Sequence, residues 1–151
     1  MVVQIRRVRK DEWRALRDVR LRALAEAPDA FETRYDEAVR RPEAWWVDWA
    51  ARSSAGTQAM FLAWDGEEAV GIAGTYVEDN GDRWLISMWV DPAARGRGVG
   101  SELVEAVAGL ARNAGWTELL LEVTDGNAAA RRLYERCGFV ALAGLRMRRA
   151  L

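Results

Sequence analysis

The sequence predicts a mixed α/β sheet whose first strands are antiparallel and whose later strands form a parallel pair beside a glycine-rich loop. Between residues 57 and 90, apolar positions alternate with a period of two and are interrupted by turn sequences, which indicates an antiparallel meander. A helical apolar pattern then lies between two short apolar strands. Since strands joined by a helical crossover are parallel neighbours, 83–90 and 118–124 should lie side by side.

The chain has 151 residues, of which 50% are hydrophobic. This length and composition predict one compact domain over residues 1–151. Lys+Arg 22 balances Asp+Glu 23, so no basic field favours a nucleic-acid partner. The sequence has no stretch of 18 apolar residues and no signal-peptide core, so we expect a cytoplasmic protein without a membrane partner. With no histidine and one cysteine, no metal site or histidine triad is expected. A homodimer is left open.

The first part of the chain is predicted to hold one strand and two helices. Residues 2–8 are β-branched and roughly alternating, which predicts a strand. A helix is expected over 11–26, where apolar residues recur at spacings of three and four, and Pro28 ends it. A second helix begins near Pro42 and carries Trp45, Trp46 and Trp49. These tryptophans either pack the helix on the sheet or cover the entrance to a substrate site.

The meander is predicted to have three strands, at 57–64, 69–78 and 83–90. Asp65-Gly66 and Asn80-Gly81 form the turns between them. Gly71 and Gly74 weaken the middle strand, which indicates a bulge or a close backbone neighbour.

After the glycine-rich loop, the chain is predicted to alternate between helices and strands. A helix runs from Val99 to Gly115, where glycine is typical of a helix C-terminus, and a strand follows at 118–124. Asn127 caps a short helix that ends at Gly138, and the chain closes with strand pieces at 139–142 and 145–150. The expected total is a twisted mixed sheet of about six to seven strands with about four helices.

The glycine-rich loop is the strongest candidate for a binding site. Gly96, Gly98 and Gly100 let the backbone take positive φ and approach a ligand closely. The N–H groups in the first turn of the following helix have no helical partners and attract anions, an effect that Arg95 and Arg97 reinforce. We interpret the loop as a pyrophosphate cradle.

Other nucleotide-binding loops fit less well. A Walker loop would need a lysine, but Gly100 is followed by Ser101 and Glu102. A dinucleotide fingerprint would place its third glycine at Ser101 or Leu103, although Glu122 does lie where a ribose-binding acid would be expected. A glycine-rich turn without a ligand remains an alternative.

Two motifs resemble the signatures of the GNAT N-acetyltransferases. Residues 95–100, Arg-Gly-Arg-Gly-Val-Gly, resemble the family's acyl-CoA signature Arg/Gln-x-x-Gly-x-Gly/Ala. Residues 127–139 resemble its second signature, Asn-x-x-Ala-x-x-Leu-Tyr-x-x-x-Gly-Phe, and the order of the predicted elements also matches. The resemblance implies a single-domain GNAT-type fold that transfers an acetyl group from acetyl-CoA to a primary amine of a small molecule or peptide. Direct attack on the thioester is the implied mechanism.

The resemblance also implies how acetyl-CoA is held. The pantetheine arm would enter a gap between the two parallel strands and bond to the backbone of Met88, Trp89 and Val90. The pyrophosphate would lie on the glycine loop, which comprises Arg95, Gly96, Arg97, Gly98, Val99, Gly100 and Ser101. Asn127 would hold the pantetheine, and Tyr134 would reach the sulfur and donate a proton to it. Without the motif around it, Tyr134 would be assigned to the core.

Glu122 is the candidate general base. It lies within the apolar strand 119–123, where a solvated role is less natural, and Leu-Glu-Val followed by Asn and Tyr resembles the acetyltransferases of ribosomal-protein N-terminal amines, whose base is that glutamate. Many relatives instead carry a glutamate early in the preceding strand, where this chain has Arg-Trp-Leu-Ile-Ser at 83–87. Glu122 as a structural acceptor for loop N–H groups stays open. So does a catalytically silent acyl-CoA-binding sensor or interaction module.

The resemblance implies that the amine lies between the break after the first helix, with Phe31 and Tyr35, and the turn between the last strands. Only Ala143-Gly144 separates those strands, so we expect an open mouth on that side. Acidic residues in the loops could favour a cationic amine. Peptide, polyamine, amino-acid and antibiotic acceptors all stay open.

Overall fold

The computed structural model describes residues 2–151, and the strands of this part of the chain form one seven-stranded mixed sheet. The strands are β1 (Val3–Arg7), β2 (Met60–Asp65), β3 (Glu68–Val77), β4 (Arg83–Val90), β5 (Glu118–Glu122), β6 (Val140–Ala141) and β7 (Arg146–Ala150). Their order across the sheet is β1-β2-β3-β4-β5-β7-β6. Every neighbouring pair is antiparallel except β4 and β5, which are parallel, as the helical crossover between them predicts.

Five helices accompany the sheet within residues 2–151: α1 (Trp13–Glu26), α2 (Tyr35–Ala38), α3 (Glu43–Ser53), α4 (Val99–Asn113) and α5 (Ala128–Arg136). The four longer ones were predicted. The single turn α2 was missed, because four residues are too few to show an apolar period. No helix in this part of the chain combines the length and the apolar character that crossing a bilayer requires.

Two apolar clusters hold the helices on opposite faces of the sheet. The α4-side cluster includes Val99, Leu103, Val107, Leu119, Leu121, Tyr134 and Phe139. The α1-side cluster includes Leu16, Val19, Ala23, Leu62, Ile72 and Trp89. α4 and α5 therefore lie on one face, and α1 with α3 on the other.

One tryptophan of the α3 group packs the helix in the core. Trp46 is 1% exposed and shares a helix face with the fully buried Ala50, whereas Trp45 and Trp49 are half-buried. The three rings contact one another, with centroids 4.8 to 6.0 Å apart. The packing interpretation is therefore confirmed for Trp46.

The two glycines of β3 have the roles that their pattern predicts. A Cβ atom on Gly74 would clash with Sδ of Met60, and one on Gly71 would lie 3.0 Å from Cδ1 of Leu103. The register between β3 and β4 also shifts beside Gly74. Both a bulge and close neighbours are thus present.

The predicted strand at 57–64 begins at Met60, later than expected. The hydroxyl of Thr75 in β3 donates to the carbonyl oxygen of Thr57 at 2.6 Å and accepts from the N–H of Ala59 at 2.8 Å. Because a side chain satisfies these backbone groups, the segment needs no strand partner. The predicted helix at 11–26 likewise starts with a separate 3-10 turn at Lys10–Glu12.

Candidate active site

A bulge in β4 distorts the strand where the predicted site begins. Ile72 pairs with Trp89 and Gly74 with Ile86, so two residues of β4, Ser87 and Met88, lie opposite a single residue of β3. Ser87 has φ of 60° and is the sole non-glycine residue with positive φ within 2–151. Such an extra residue bends a strand and leaves backbone groups unpaired. The glycines of β3 predicted a bulge, but its place on β4 was not predicted, because nothing in the sequence around Ser87 marks it.

β4 and β5 separate beyond their first contact. Within residues 2–151 one pair joins these strands, Trp84 with Leu120. On its other side β5 follows β7 through five consecutive pairs, from Glu118 with Ala150 to Glu122 with Arg146. The backbone of β4 from Met88 to Val90 therefore borders a gap in the sheet, with the bulge at its start. This gap is where the pantetheine arm was expected.

The glycine loop follows β4 and leads into α4. Gly96 and Gly98 have φ of 78° and 81°, and a Cβ atom on either would meet nothing within 4 Å. Glycine is therefore favoured at these two positions by the backbone conformation and not by close packing. The first bond of α4 runs from the N–H of Glu102 to the carbonyl oxygen of Gly98, at 3.0 Å. The N–H groups that precede Glu102 thus have no helical partner and carry the positive end of the helix dipole.

Gly100 differs from the prediction. Its φ is not positive, and its missing Cβ faces the protein, 3.0 Å from Cδ2 of Leu133 and 3.2 Å from Cε of Met88. Gly100 therefore lets α5 and β4 approach the first turn of α4. Its small size brings the elements of the site together.

Arg95 is held away from the open side of the loop. Its guanidinium forms an ion pair with Glu26 of α1, and its Nε donates to the carbonyl oxygen of Val90 at 2.9 Å. Arg97 is exposed and forms no ion pair within residues 2–151. Of the two predicted reinforcing cations, Arg97 is thus the one whose charge is not already neutralised.

Asp91 fixes the start of the loop. It accepts from the N–H of Ala93 at 2.9 Å and forms an ion pair with Arg22 of α1. Burial alone would raise the pKa of Asp91, but the Ala93 N–H and the Arg22 guanidinium lower it below its usual value. Asp91 therefore stays ionised and anchors the loop to α1.

Tyr134 lies in the α4-side cluster, next to the elements that border the gap. Its side chain is 7% exposed and its ring contacts Phe139 edge-on at 5.9 Å, while Met88 and Val90 pack against the same cluster. Burial, and secondarily Cys137, raise the pKa of Tyr134 above its ordinary value near 10. The phenol is therefore protonated throughout the neutral range. Cys137, the single cysteine of the sequence, is half-buried.

Asn127 is the N-cap of α5, as predicted. Its Oδ1 accepts from the N–H of Ala130 at 3.2 Å, which leaves the amide NH₂ group available. A cavity of about 190 Å³ beside it is lined by residues that follow β5, Asp125 and Arg131 among them. Asn127 therefore lies at the end of the strand that borders the gap.

Glu122 is more exposed than the sequence suggested. Leu119, Leu121 and Val123 point into the α4-side cluster, so Glu122 points to the opposite face of the sheet. Its side chain is 53% exposed and pairs with Arg146 at 3.3 Å. The sequence had made a solvated position for Glu122 less natural, and that expectation was wrong. Near its end, β5 is apolar on one face and exposed on the other, where Glu122 lies. Its partner within residues 2–151 is a side chain, not the N–H groups of a loop.

Of the two residues expected near the amine, Phe31 lies on the α1 side of the sheet. Phe31 is half-buried and packs on the α1-side cluster together with Ile86, whereas Tyr35 is 43% exposed at the start of α2. A cavity of about 390 Å³ opens nearby and is lined by Trp49 and Ile86 among others. This cavity was not predicted, because its walls come from α3, β3 and the segment between α3 and β2.

Comparisons with known proteins agree with this architecture. A family model described as "Acetyltransferase (GNAT) family" matches residues 9–139. A mycothiol acetyltransferase of Geodermatophilus obscurus is 35% identical over 146 residues, covering 91% of this chain and 44% of that protein. The chain thus spans less than half the length of this relative.

Solved structures show the same fold. An acetyltransferase of the GNAT family from Streptococcus pneumoniae superposes with a TM-score of 0.87 at 19% identity and covers 99% of both chains. A Salmonella typhimurium protein solved with its cofactor acetyl-CoA superposes with a TM-score of 0.79 at 18% identity, covering 100% of this chain and 95% of the other.

Proposed function

The chain belongs to the GNAT acetyltransferase family, and we propose that it transfers an acetyl group from acetyl-CoA to a primary amine of a small molecule or peptide. The observation that carries this proposal is the convergence of three features at one edge of the sheet. These are the gap between β4 and β5, the unpaired N–H groups at the start of α4, and the buried, protonated Tyr134. Each of them would serve a different part of acetyl-CoA: the pantetheine arm, the pyrophosphate and the sulfur.

The residues around the gap fit acetyl-CoA. N–H groups from Arg97 to Ser101 would bind the pyrophosphate, since a helix N-terminus with a bare loop before it favours anions. Backbone groups of β4 beside the gap, which β5 does not pair, would bond to the amides of the pantetheine arm, with the Asn127 side chain on the other side. When bound, acetyl-CoA supplies a thioester whose carbonyl carbon is open to attack by an amine.

Tyr134 would supply the proton that the leaving sulfur needs. A raised pKa makes a phenol a reluctant donor, because an ordinary thiol has a pKa of about 8.5. A thiolate in the same apolar surroundings is also destabilised, however, so its proton affinity rises with that of Tyr134. The hydroxyl would first hydrogen-bond the sulfur and then transfer the proton as the carbon–sulfur bond breaks.

Glu122 would assist the amine from the opposite face. A protonated amine cannot attack, and a carboxylate near the gap could take its proton directly or through water. Since Glu122 is bound to Arg146 and faces solvent, a water-mediated route suits its position better than direct contact. Substrates that are already neutral would need no such help.

Free-thiol release tests the proposal. The protein is incubated with acetyl-CoA and, one at a time, a peptide, a polyamine, an amino acid and an aminoglycoside. Steady release that depends on an amine, together with an acetylated product detected by mass spectrometry, would support the enzyme. Tight acetyl-CoA binding by calorimetry without release on any amine would favour the silent sensor instead.

A further inference from the structure

Arg20 is a charged residue on the apolar stripe of α1. It lies four residues from both Leu16 and Leu24, which are 0% exposed, so all three share one stripe of the helix. Its Nη1 atom is buried and has no hydrogen-bond partner within residues 2–151. Arg20 also forms no ion pair with any residue of that range. A buried cationic donor without a partner is costly and therefore uncommon.

The groups around Arg20 add positive charge and aromatic surface. Cζ of Arg20 lies 5.0 Å from the ring centroid of Phe31. Burial, and then repulsion from Arg41, lower the pKa of Arg20 to about 10, so it stays charged at neutral pH. Arg41 lies 3.9 Å above the ring of Trp45 and reaches one carboxylate, that of the mostly exposed Glu37, at 4.0 Å. Among residues 2–151, the two guanidiniums thus share a site without a strong counter-ion.

These side chains lie on the face of the sheet where the acceptor is expected. Phe31 packs on the α1-side cluster, which contains Trp89, and Ile86 packs on the same cluster. Trp89 and Ile86 both belong to β4 and lie on either side of its bulge. The helix that follows the glycine loop, α4, lies on the other face of the sheet, and the α1 residues that contact the start of the loop are Arg22 and Glu26. We therefore assign Arg20 to the acceptor rather than to the phosphates of CoA.

We propose that the acceptor amine carries a carboxylate, as an amino acid does, and that Arg20 binds this carboxylate with Arg41 beside it. The inference rests on the proposed acetyl transfer and narrows its substrate class. A planar guanidinium binds a carboxylate through paired N–H groups, and the desolvated Nη1 of Arg20 is a donor of this kind. The aromatic rings of Phe31 and Trp45 would contact the apolar part of the same molecule.

The test compares acceptors that differ only in the carboxylate. Acetyl transfer is measured with L-leucine and L-phenylalanine and with their amides, using the wild type, Arg20→Met, Arg20→Lys and the control Arg14→Met. Arg14 lies on the same helix, is exposed, and contacts the Trp13 ring. Comparing each variant with the wild type on the same acceptor cancels the different ionisation of the two amines.

We expect Arg20→Met to reduce kcat/KM for the amino acids by about 10- to 100-fold, because their carboxylate loses a charge-assisted hydrogen bond. The amides have no such bond to lose, so their kcat/KM should change by less than about 3-fold. Arg20→Lys should recover part of the loss, and Arg14→Met should behave as the wild type. Equal losses on both acceptors, or a wild type that uses amides while ignoring amino acids, would overturn the proposal and leave acetyl transfer intact. Release of no thiol with any amine would instead count against acetyl transfer itself.

Two further measurements do not depend on turnover. Arg20→Met should leave the melting temperature unchanged or raise it, because it removes a cationic group whose buried Nη1 has no partner within residues 2–151. A clear fall would indicate a structural role and overturn the proposal. In the presence of CoA, N-acetyl-L-leucine should bind the wild type more tightly than N-acetyl-L-leucinamide, and Arg20→Met should abolish the difference. Equal binding of the two by the wild type would also overturn it.

Discussion

The indole N–H of Trp89 in β4 donates a 3.0 Å hydrogen bond to the Glu26 carboxylate at the end of α1. The same carboxylate oxygen accepts from Arg95 of the glycine loop, and Arg22, one turn earlier in α1, pairs with Asp91. The last turns of α1 therefore hold both the end of β4 and the start of the loop. These contacts within the protein restrain the loop, which lowers the entropy lost on binding.

The Glu26–Arg95 pair predicts a salt-dependent gain in affinity. Glu26→Gln keeps an oxygen that Trp89 can donate to but no longer neutralises Arg95, so CoA should bind a few-fold more tightly at low salt. Because Arg95 is half-exposed, the gain should vanish in about 0.5 M salt, where charges are screened within a few ångströms. Calorimetric titration with CoA measures both. Unchanged affinity at low salt would show that Arg95 does not act on the phosphates.

Gly100 predicts a loss of stability rather than a selective loss of binding. A Cβ atom there would press on Leu133 and Met88, so Gly100→Ala should destabilise the fold by about 1–3 kcal/mol, as overpacking does. Gly109 lies in the same helix, and a Cβ atom added to it would meet nothing within 4 Å, so Gly109→Ala should stabilise by about 0.5–1 kcal/mol. Thermal unfolding of the two variants checks this. Two variants of equal stability would contradict it.

Most of the fold could be predicted from the sequence, because its signals are local. The turns at 65–66 and 80–81, the apolar period of α4 and the glycine after it determined the order and type of the main elements. The parallel pairing of β4 with β5 followed from the rule for helical crossovers. The family, inferred from two motifs, is confirmed by the match over residues 9–139.

The features that could not be predicted depend on contacts between distant segments. The position of the bulge on β4, at Ser87, is set by the register with β3, and the ion pair of Arg95 depends on Glu26, 69 residues away. Glu122 lies in an apolar run, but its exposure depends on which face of β5 remains uncovered. Arg20 is one of 22 basic residues in the sequence, and its isolation arises only when α1 is packed.

Tyr134 predicts a loss of turnover without a loss of binding. Tyr134→Phe keeps the ring and its contact with Phe139 but removes the proton, so kcat should fall by about 10²- to 10⁴-fold. CoA affinity and the melting temperature should be nearly unchanged. Stopped-flow thiol release and calorimetry measure the two effects. An equal loss of affinity and rate would indicate a packing role.

The raised pKa of Tyr134 also predicts the shape of the pH profile. A phenol with a raised pKa stays protonated below its ordinary value of about 10, so its ionisation should not depress the rate anywhere between pH 7 and about 9.5. The wild-type rate should instead rise over this range as free amine accumulates. A falling limb near pH 8 to 9 that disappears in Tyr134→Phe would contradict this prediction.

Glu118 provides a matched control for Glu122. Both glutamates lie on β5 on the same face, and each pairs with an arginine of β7, Glu118 with Arg148 at 3.4 Å and Glu122 with Arg146 at 3.3 Å. Their side chains are 44% and 53% exposed. Such exposed pairs contribute about 0–1 kcal/mol, so Glu118→Gln and Glu122→Gln should lower the melting temperature equally little. Any difference between them in rate therefore reports position relative to the gap.

If Glu122 takes the proton from the amine, Glu122→Gln should reduce the rate strongly at pH 7, because the isosteric amide cannot accept a proton. The rate of the variant should recover towards the wild type as pH rises, because more of the amine is then already neutral and needs no base. Glu118→Gln should match the wild type at every pH. The dependence should be greater for a lysine-like amine, with a pKa of about 10.4, than for an α-amino group near 7.7–8.0, which is already substantially neutral. Rates measured on one acceptor of each kind from pH 6.5 to about 9.5 decide the matter. A Glu122→Gln profile parallel to the wild type on both acceptors would remove Glu122 as the base and leave proton removal to solvent or to the substrate itself.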